Sequence, residues 1–486
     1  MLFNSIHFTI FLPIAFLLYW FVFDRFISRS KHQLRLQNAF VVVASYIFYG
    51  WWDWRFLLLI AFTSICSWGS GLLIGHAPSI NRAKAWMWSN IALNLGILAT
   101  FKYYDFFVAE FALMFGFTTD GLLLKIILPV GISFYTFQAL SYSIDVYRGK
   151  IVPTRDIIAF FAFISFFPQL VAGPIERATN LLPQFLKKRD FNYNTAVDGM
   201  RQILWGLFKK VVVADNCATY VNQVWSNYTE HSGSTLLLAA ILFTFQIYGD
   251  FSGYSDIAIG TAKLFGIKLM RNFNVPYFSR DIAEFWRRWH ISLTTWFRDY
   301  VYIPLGGSRV SKAKVARNTF IIFLVSGLWH GANWTFIAWG AYHAILFLPL
   351  ILLGKNRKYT NNAAEERFLP SLKETAQMLL TFSLVVIGWI IFRAENIGMA
   401  WEYIKGIADM SILTMPWMKL KRSFYIPLFT SIILMIAIEW IQRRKEHGLD
   451  LTICNKTWIR TIIYYLIVIY YVIAAGKSST FIYFQF

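Results

Sequence analysis

Residues 319–353 contain no Asp, Glu, Lys or Arg and read TFIIFLVSGLWHGANWTFIAWGAYHAILFLPLILL. A helix needs about 20 largely apolar residues to cross a bilayer, so this stretch is too long for a single crossing. The polar residues of the segment 329–333 (WHGAN) interrupt it. We therefore predict two membrane helices, or one broken helix, that meet at residues 329–333.

The composition of the whole chain supports the same fold class. Of 486 residues, 57% are hydrophobic and only 15% are charged, whereas soluble proteins carry roughly a quarter charged residues. The apolar content is also far too high for a disordered chain. We predict an all-α polytopic membrane protein with about eleven transmembrane helices, plus re-entrant or in-plane helices within residues 157–220. The other apolar segments lie near residues 6–23, 38–52, 54–75, 86–108, 122–147, 235–262, 375–393, 424–442 and 458–475.

The formal net charge of +20 is concentrated in the loops between the apolar segments. The positive-inside rule makes the basic loops cytoplasmic, and both chain termini then lie outside if one crossing falls within residues 157–220. The basic loops are 24–37, 76–85, 148–156, 263–317, 354–373 and 443–460, and the outer segments are 109–121 and 221–234.

Two kinds of partner are not expected. The three cysteines, Cys66, Cys217 and Cys454, form neither a disulfide framework nor a paired metal-ligand spacing, so we expect no metal. No aromatic-interleaved basic groove or Cys/His finger indicates nucleic-acid binding. The basic loops face the membrane lipids instead.

Residues 281–300 (DIAEFWRRWHISLTTWFRDY) combine aromatic, basic and hydroxyl side chains. As one helix they place an apolar stripe on one face and Arg287, His290, Thr294 and Arg298 on the opposite face. An interfacial helix would explain the arginines but not the imidazole of His290. Because residues 302–307 (YIPLGG) break the helix, we predict a re-entrant element that lines a cavity.

His330 lies within the apolar stretch 319–353, between Gly327 and Gly331, with Asn333 one turn away. A membrane histidine often serves as a structural hydrogen-bond donor between helices. The alternative is catalytic: a desolvated imidazole is neutral near pH 7, and a neutral imidazole can accept a proton from a hydroxyl group. We favour the catalytic interpretation, which requires that substrates reach position 330.

A third polar segment, residues 249–256 (GDFSGYSD), lies in the apolar segment 235–262. Asp250 and Asp256 are six residues apart and do not share a helix face. We predict a kink at the glycines, with Tyr254 hydrogen-bonded across it. An internal structural network is favoured over an acid/base pair for the two carboxylates.

Together these segments resemble the membrane-bound O-acyltransferase family, in its bacterial branch of alginate O-acetylation and D-alanyl transfer proteins. The resemblance extends from residue 1 to residue 486, and its motifs are FWRRWHISL (285–293), GDFSGYSD (249–256), YIPLGG (302–307), WHG (329–331), FNS (3–5) and PQLVAGP (168–174).

The resemblance implies a ring of membrane helices around a central tunnel, with His330 where the tunnel meets an outer funnel. His290 corresponds to the family's second active-site histidine. The implied donor is a cytoplasmic acyl thioester, acetyl-CoA or an acyl carrier, with no bound cofactor. The implied acceptor is an exported polysaccharide at the bacterial inner membrane, and a separate periplasmic esterase-like (SGNH-type) acyltransferase completes the transfer.

The residues agree with such chemistry. Transfer from a thioester to an oxygen ester is nearly balanced in free energy, and the chain has no P-loop motif for ATP. It also lacks a Gly-x-Ser-x-Gly elbow, which argues against a serine acyl-enzyme. Arg287, Arg298 and the basic residues of 309–317 lie on the cytoplasmic side, where they bind either the phosphates of coenzyme A or the anionic lipid surface.

The chain ends with residues 476–486 (GKSSTFIYFQF). Such a tail can form an aromatic belt at the outer interface. Alternatively, it folds back and Tyr483 accepts the acyl group, which the resemblance also implies. The residues from Gly476 to Tyr483 can span roughly 20 Å when extended, and the bilayer midplane is only about 15 Å from the surface.

These observations predict one integral-membrane acyltransferase domain over residues 1–486. Its parts are the helices of 1–148, the irregular region 157–220, a catalytic core at 235–353, C-terminal helices at 375–475 and the outer tail 476–486. Two alternatives remain at this point: a lipid or protein O-acyltransferase of the same family, and a proton-coupled transporter that uses His290 and His330 as a relay. The transporter is disfavoured because the helix breaks are not matched between two halves of the chain.

Overall fold

The computed structural model describes residues 1–23, 32–119, 121–171, 173–418, 422–450, 456–477 and 479–482. Across these ranges the regular secondary structure is helical, without a β-strand. The chain divides into two compact units. Unit 1 comprises Met1–Met200 and Ile257–Met270, and unit 2 comprises Arg201–Asp256 and Arg271–Phe486.

The α-helices agree closely with the apolar segments of the sequence. In chain order they are α1 (Ile6–Leu17), α2 (Gln33–Gly50), α3 (Arg55–Gly75), α4 (Ile80–Lys102), α5 (Tyr104–Phe115), α6 (Ile132–Tyr147), α7 (Ile157–Ser165), α8 (Phe167–Leu170), α9 (Ala178–Phe185), α10 (Tyr193–Leu207), α11 (Asp215–Ser226), α12 (Gly233–Leu264), α13 (Ile282–Arg288), α14 (Ile291–Phe297), α15 (Lys312–His330), α16 (Trp334–Leu352), α17 (Leu372–Arg393), α18 (Ile397–Ile407), α19 (Arg422–Ile441) and α20 (Thr457–Ala474).

Shorter helical turns connect some of these elements. Three are π-helical (Leu18–Phe23, Phe208–Ala214 and Arg298–Tyr302), and three are 3₁₀ turns (Tyr228–Glu230, Pro276–Phe278 and Met410–Leu413). The irregular region predicted at 157–220 is thus a series of short helices.

Several helices are long and apolar enough to cross a membrane. Six described segments meet both criteria: Arg55–Gly75, Gly233–Leu264, Trp334–Leu352, Leu372–Arg393, Ser423–Ile441 and Thr457–Ala474. A seventh crossing is added if α4 and α5, which are bent by 63° at Tyr103, form one span. The protein is therefore a multi-pass membrane protein, as predicted, while the count of about eleven crossings stays a prediction.

In unit 1, a cluster of polar side chains connects three helices through hydrogen bonds. Asn90 of α4 donates from Nδ2 to Ser143 Oγ of α6 at 2.6 Å and accepts at Oδ1 from Ser67 Oγ of α3 at 3.1 Å. Asn94, one turn further along α4, donates to the same Asn90 oxygen at 3.0 Å. Interhelical hydrogen bonds of this kind stabilise helix packing where water is absent.

The predicted break within 319–353 is confirmed, because α15 ends at His330 and α16 begins at Trp334. The two helices pack closely through glycines. A Cβ atom at Gly327 would overlap the carbonyl oxygen of Phe336, and one at Gly340 would overlap the carbonyl oxygen of Phe323. The side chain of Asn333 caps α16, since its Oδ1 accepts from Thr335 N at 2.9 Å.

Residues 281–300 do not form the single helix that we predicted. That prediction is wrong because α13 ends at Arg288 and α14 starts only at Ile291, with His290 in a left-handed conformation (φ 43°, ψ 55°) between them. The shared face of Arg287, His290, Thr294 and Arg298 is therefore not formed.

The segment 235–262 lies within one uninterrupted helix, α12 (Gly233–Leu264), and the kink at its glycines stays a prediction. These glycines pack closely against a neighbouring segment. A Cβ atom at Gly249 would lie 2.9 Å from the carbonyl oxygen of Lys209, and one at Gly253 would lie 2.7 Å from that of Gly206.

Candidate active site

His290 occupies a corner that backbone hydrogen bonds hold in place. Ile291 N donates to Asn272 O, and Asn274 N donates to Arg288 O, both at 2.9 Å. Residues 272–274 are thereby fixed against the gap between α13 and α14. A left-handed backbone at a residue other than glycine costs of order 1 kcal/mol or more and persists only where the surroundings impose it, often at functional sites.

The His290 side chain is almost fully buried, at 1% exposure. Its Nδ1 lies 3.0 Å from Asn272 Oδ1, which also accepts from Ser292 Oγ at 2.9 Å. On the other side of the ring lie aromatic residues: the ring centroid of Phe251 is 4.6 Å away and that of Trp329 is 6.0 Å away. The imidazole is thus held at one nitrogen and enclosed by aromatic rings.

His330 is the last residue of α15 and is 4% exposed. Aromatic rings surround it, with centroids at 5.0 Å (Trp329), 5.1 Å (Trp339) and 5.4 Å (Phe392). The Trp329 ring therefore contacts both His290 and His330. The structure brings the two histidines to one aromatic cluster of unit 2, although the sequence separates them by α14, Arg298–Tyr302 and α15.

Asn333 does not approach the histidines through any hydrogen bond that the structure describes. In addition to capping α16, it donates from Nδ2 to Glu395 O at 2.8 Å. Its amide therefore connects the start of α16 to the end of α17, and we assign it a structural contribution to the His330 turn.

The two aspartates of α12 bind two adjacent lysines of the π-helical segment Phe208–Ala214. Lys210 Nζ lies 2.7 Å from Asp250 Oδ1, and Lys209 Nζ lies 2.6 Å from Asp256 Oδ2. A third carboxylate, Asp215 Oδ1, is 2.9 Å from Lys210 Nζ. Each aspartate of α12 thus binds a different cation, while the absence of an acid/base role for the two carboxylates stays a prediction.

The chain terminus folds back onto this charged cluster. Lys210 Nζ donates to Ser479 O at 3.2 Å, Ser479 Oγ donates to Asp215 Oδ1 at 2.5 Å, and Ile482 N donates to Asp250 Oδ2 at 2.7 Å. Phe481 is fully buried, with its ring 4.2 Å from that of Tyr254. An aromatic belt at the surface does not describe residues 479–482.

The buried tail leads toward His290. The Phe251 ring lies 6.1 Å from Phe481 and 4.6 Å from His290, so one aromatic ring separates the tail from the histidine. Tyr254 supports the tail through its ring and lies under Lys210, whose Nζ is 6.0 Å from the ring centroid. Tyr483 itself lies outside the described residues.

The lysine-aspartate cluster makes a testable contribution to stability and tail docking. Replacing Lys210 by Met leaves the Asp215 and Asp250 carboxylates buried without their shared cation, and breaking such a buried pair costs about 3–5 kcal/mol. We expect a lower Tm in detergent and faster proteolysis after Gly476.

Two further variants make that result specific. Lys477→Met removes an exposed lysine of the same tail and should change neither measurement. Ser479→Ala removes only the hydroxyl bound to Asp215 and should accelerate proteolysis with a small change in Tm. Equal tail proteolysis in all four proteins would contradict the docking role of the cluster.

The two arginines proposed for donor phosphates differ in their surroundings. Arg287 donates to the backbone carbonyls of Asn356 and Tyr359, so its guanidinium positions the loop between α16 and α17. The Arg298 side chain is 55% exposed, and its Nε lies 2.6 Å from Asp299 Oδ1. The hydrogen bond with Asp299 raises the pKa of Arg298. Arg298 is thus the more accessible of the two for an anionic ligand.

Three features of unit 2 were missed in the sequence. Lys209 and Lys210, two lysines inside an apolar run, were a usable signal for buried ion pairs. The role of Asn272 had no local signal. His343 of α16 is 1% exposed, with ring centroids of Trp286 and Trp339 at 5.0 and 5.1 Å.

Within the described ranges, no group of three His, Cys, Asp or Glu residues is arranged to hold a metal ion.

Comparison with known proteins matches residues 151–363 to the membrane-bound O-acyltransferase (MBOAT) family model, a range that includes His290 and His330. A probable alginate O-acetylase AlgI of Pseudomonas aeruginosa is 42% identical over 403 residues, which cover 82% of this chain and 73% of the relative. The peptidoglycan O-acetyltransferase of Helicobacter pylori is 33% identical over 531 residues, which cover 100% of this chain and 98% of the relative.

A more distant relative is the teichoic acid D-alanyltransferase of Bacillus subtilis, 30% identical over 279 residues that cover 55% of this chain and 69% of the relative. All three relatives carry the names of acyl-transfer enzymes, so the transporter alternative is wrong. With the whole-length match and the family-model match together, the chain belongs to the membrane-bound O-acyltransferase family and is an acyltransferase.

Proposed function

We propose that this protein is an O-acetyltransferase that takes an acetyl group from a cytoplasmic thioester, acetyl-CoA or an acyl carrier, for O-acetylation of an exported cell-surface polysaccharide. In this proposal His330 is the general base, His290 is the second active-site histidine and Tyr483 carries the acyl group between donor and acceptor. The relatives named for alginate and for peptidoglycan support a glycan acceptor over a lipid or a protein.

The observation that carries the proposal is the docked tail. Residues 479–482 are held by Lys210, Asp215 and Asp250, and Phe481 is one aromatic ring from His290. Tyr483 directly follows Ile482 in the chain. Buried charged groups in membrane proteins often mark functional sites, and the tail binds directly to such groups, Lys210, Asp215 and Asp250.

The chemistry balances without an external energy source. In the first step the Tyr483 hydroxyl oxygen attacks the thioester carbonyl, His330 takes the phenolic proton, and the thiol leaves with that proton. An acyl phenol ester then links the acetyl group to the tail. Because a phenol (pKa about 10) is nearly as good a leaving group as a thiol (about 8.5), the ester keeps most of the thioester's transfer potential.

In the second step a hydroxyl oxygen of the acceptor attacks the carbonyl carbon of the phenol ester, the bond between that carbon and the phenol oxygen breaks, and the acceptor's hydroxyl proton passes to the phenolate of Tyr483. We assign this step to a separate periplasmic SGNH-type acyltransferase that passes the acetyl group to the polysaccharide. The proposed location is the bacterial inner membrane, with both termini outside the cytoplasm, so that the tail faces the compartment of the acceptor.

A vesicle experiment tests the proposal. Inverted inner-membrane vesicles that contain the protein receive ¹⁴C-acetyl-CoA or ¹⁴C-acetyl carrier protein on the exposed cytoplasmic face. We expect label on the protein's C-terminal peptide and, with the partner enzyme and polysaccharide enclosed in the lumen, on the polysaccharide. Label confined to extractable lipid would identify a lipid acyltransferase, and no label from either donor would contradict an acetyl thioester.

A further inference from the structure

The hydrogen bonds around His290 determine which of its ring nitrogens carries the proton. Three groups meet Asn272 Oδ1: His290 Nδ1 at 3.0 Å, Ser292 Oγ at 2.9 Å and the backbone N of Ser292 at 3.4 Å. A carbonyl oxygen only accepts hydrogen bonds, so Nδ1 carries a hydrogen if the amide of Asn272 has this orientation.

The orientation of that amide follows from its other neighbours. An asparagine oxygen and nitrogen are assigned by their surroundings, and here the backbone N–H of Ser292, which can only donate, faces the atom assigned as oxygen. At the opposite end, Asn272 Nδ2 lies 3.0 Å from Ser255 Oγ, a hydroxyl that can accept. A flipped amide would place two donors against each other at Ser292.

The hydroxyl of Ser292 agrees with the same assignment. It lies 2.9 Å from Asn272 Oδ1 but 3.4 Å from His290 Nδ1, so its hydrogen points to the amide oxygen. The Ser292 oxygen can then accept a second, longer hydrogen bond from Nδ1. The Asn272 amide oxygen and the Ser292 hydroxyl oxygen can thus both accept a hydrogen bond from Nδ1.

We propose that Asn272 is a positioning residue that keeps neutral His290 in the Nδ1–H tautomer, so that Nε2 presents its lone pair to the hydrogen-bearing group of the substrate. A neutral imidazole carries one proton, and fixing it on one nitrogen makes the other nitrogen the acceptor. The left-handed backbone of His290 serves this arrangement, because the pairing of Ile291 N with Asn272 O brings the imidazole and the amide together.

The catalytic consequence of this tautomer rests on the proposed function, whereas the tautomer itself does not. If His290 were the Nε2–H tautomer, it would donate at Nε2 and repel a hydroxyl hydrogen. Asn272 thereby contributes to the reaction from a segment, residues 271–275, that is neither helical nor part of the histidine motifs.

Two measurements on the full-length protein test the assignment. The first is ¹⁵N NMR of protein labelled at histidine, with His290→Gln used to identify the His290 signals. We expect a protonated Nδ1 and an unprotonated Nε2 at neutral pH. In Asn272→Leu, which offers no acceptor, we expect the proton to distribute over both nitrogens, whereas Asn272→Asp should keep it on Nδ1.

The second measurement is acyl transfer by the same variants. We expect Asn272→Leu to lower the turnover number about 10- to 100-fold, which is part of the rate enhancement that a positioned acid–base group usually provides. Asn272→Asp should retain at least a third of the wild-type rate. Asn274→Leu is the matched control. It makes the same change two residues later, where Asn274 Oδ1 has no hydrogen-bond partner in the described part of the chain, and it should leave both measurements unchanged.

The outcomes separate the two proposals. A protonated Nε2 in the wild-type protein, or equal turnover of Asn272→Leu and wild type, would overturn the role of Asn272 and leave the proposed function intact. If the wild-type protein transfers no acetyl group at all, the proposed function fails, while the NMR spectrum still decides the tautomer.

Discussion

Tyr483→Phe is expected to reduce acetyl transfer to the polysaccharide by about 10³-fold or more, to the background of the assay, because the variant has no oxygen to carry the acyl group. The aromatic ring stays, and the docking contacts of Ser479, Phe481 and Ile482 are untouched. Mass spectrometry of the C-terminal peptide should show one acetyl group on wild-type protein incubated with donor and none on the variant.

The control makes the same chemical change where no transfer is proposed. Tyr465 of α20 is 66% exposed, and Tyr465→Phe should transfer acetyl groups at the wild-type rate. Tail proteolysis of Tyr483→Phe should match that of the wild type, which separates a lost hydroxyl from a lost docking. Wild-type transfer by Tyr483→Phe would rule out the relay and make direct attack by the acceptor hydroxyl the better mechanism.

The helices could be predicted from the sequence, because hydropathy depends on the local run of residues. The stretch 319–353 predicted its own interruption, and α15 and α16 flank residues 331–333. The glycines near His330 allow the close packing of α15 and α16 that the structure shows. Each of these features needs information from only one or two neighbouring segments.

The active-site geometry could not be predicted in the same way, since it depends on partners distant in sequence. Helical periodicity predicted one helix through 281–300, but the backbone of Asn272–Asn274 competes for the hydrogen bonds at Arg288 and Ile291 and breaks it. Likewise, the sequence showed Asp250 and Asp256 as a pair, whereas their counter-charges, Lys209 and Lys210, come from a π-helical turn about 40 residues earlier. Tertiary contacts overrode local preference in both places.

His330→Ala is expected to abolish acetylation of Tyr483 as well as of the polysaccharide, with a loss of about 10²–10⁴-fold. This differs from Tyr483→Phe, in which the base is intact and only the carrier is missing. Without an imidazole at position 330, no group takes the phenolic proton as the carbon–oxygen bond forms, and the thiolate leaves unprotonated. Uptake of ¹⁴C label from acetyl-CoA onto the purified protein measures this first step alone.

A second buried histidine separates the chemical role from simple loss of packing. His343 and His330 both contact the Trp339 ring, at 5.1 Å each, and both are nearly inaccessible. His343→Ala removes the same side chain one helix further on, so the two variants should lose similar stability, of order 2–5 kcal/mol for a large buried group, while only His330→Ala loses label uptake. If His330→Ala took up label as the wild type does, His330 would be a packing residue. The proton acceptor would then have to be His290, because Asn272 keeps the Nε2 atom of His290 unprotonated.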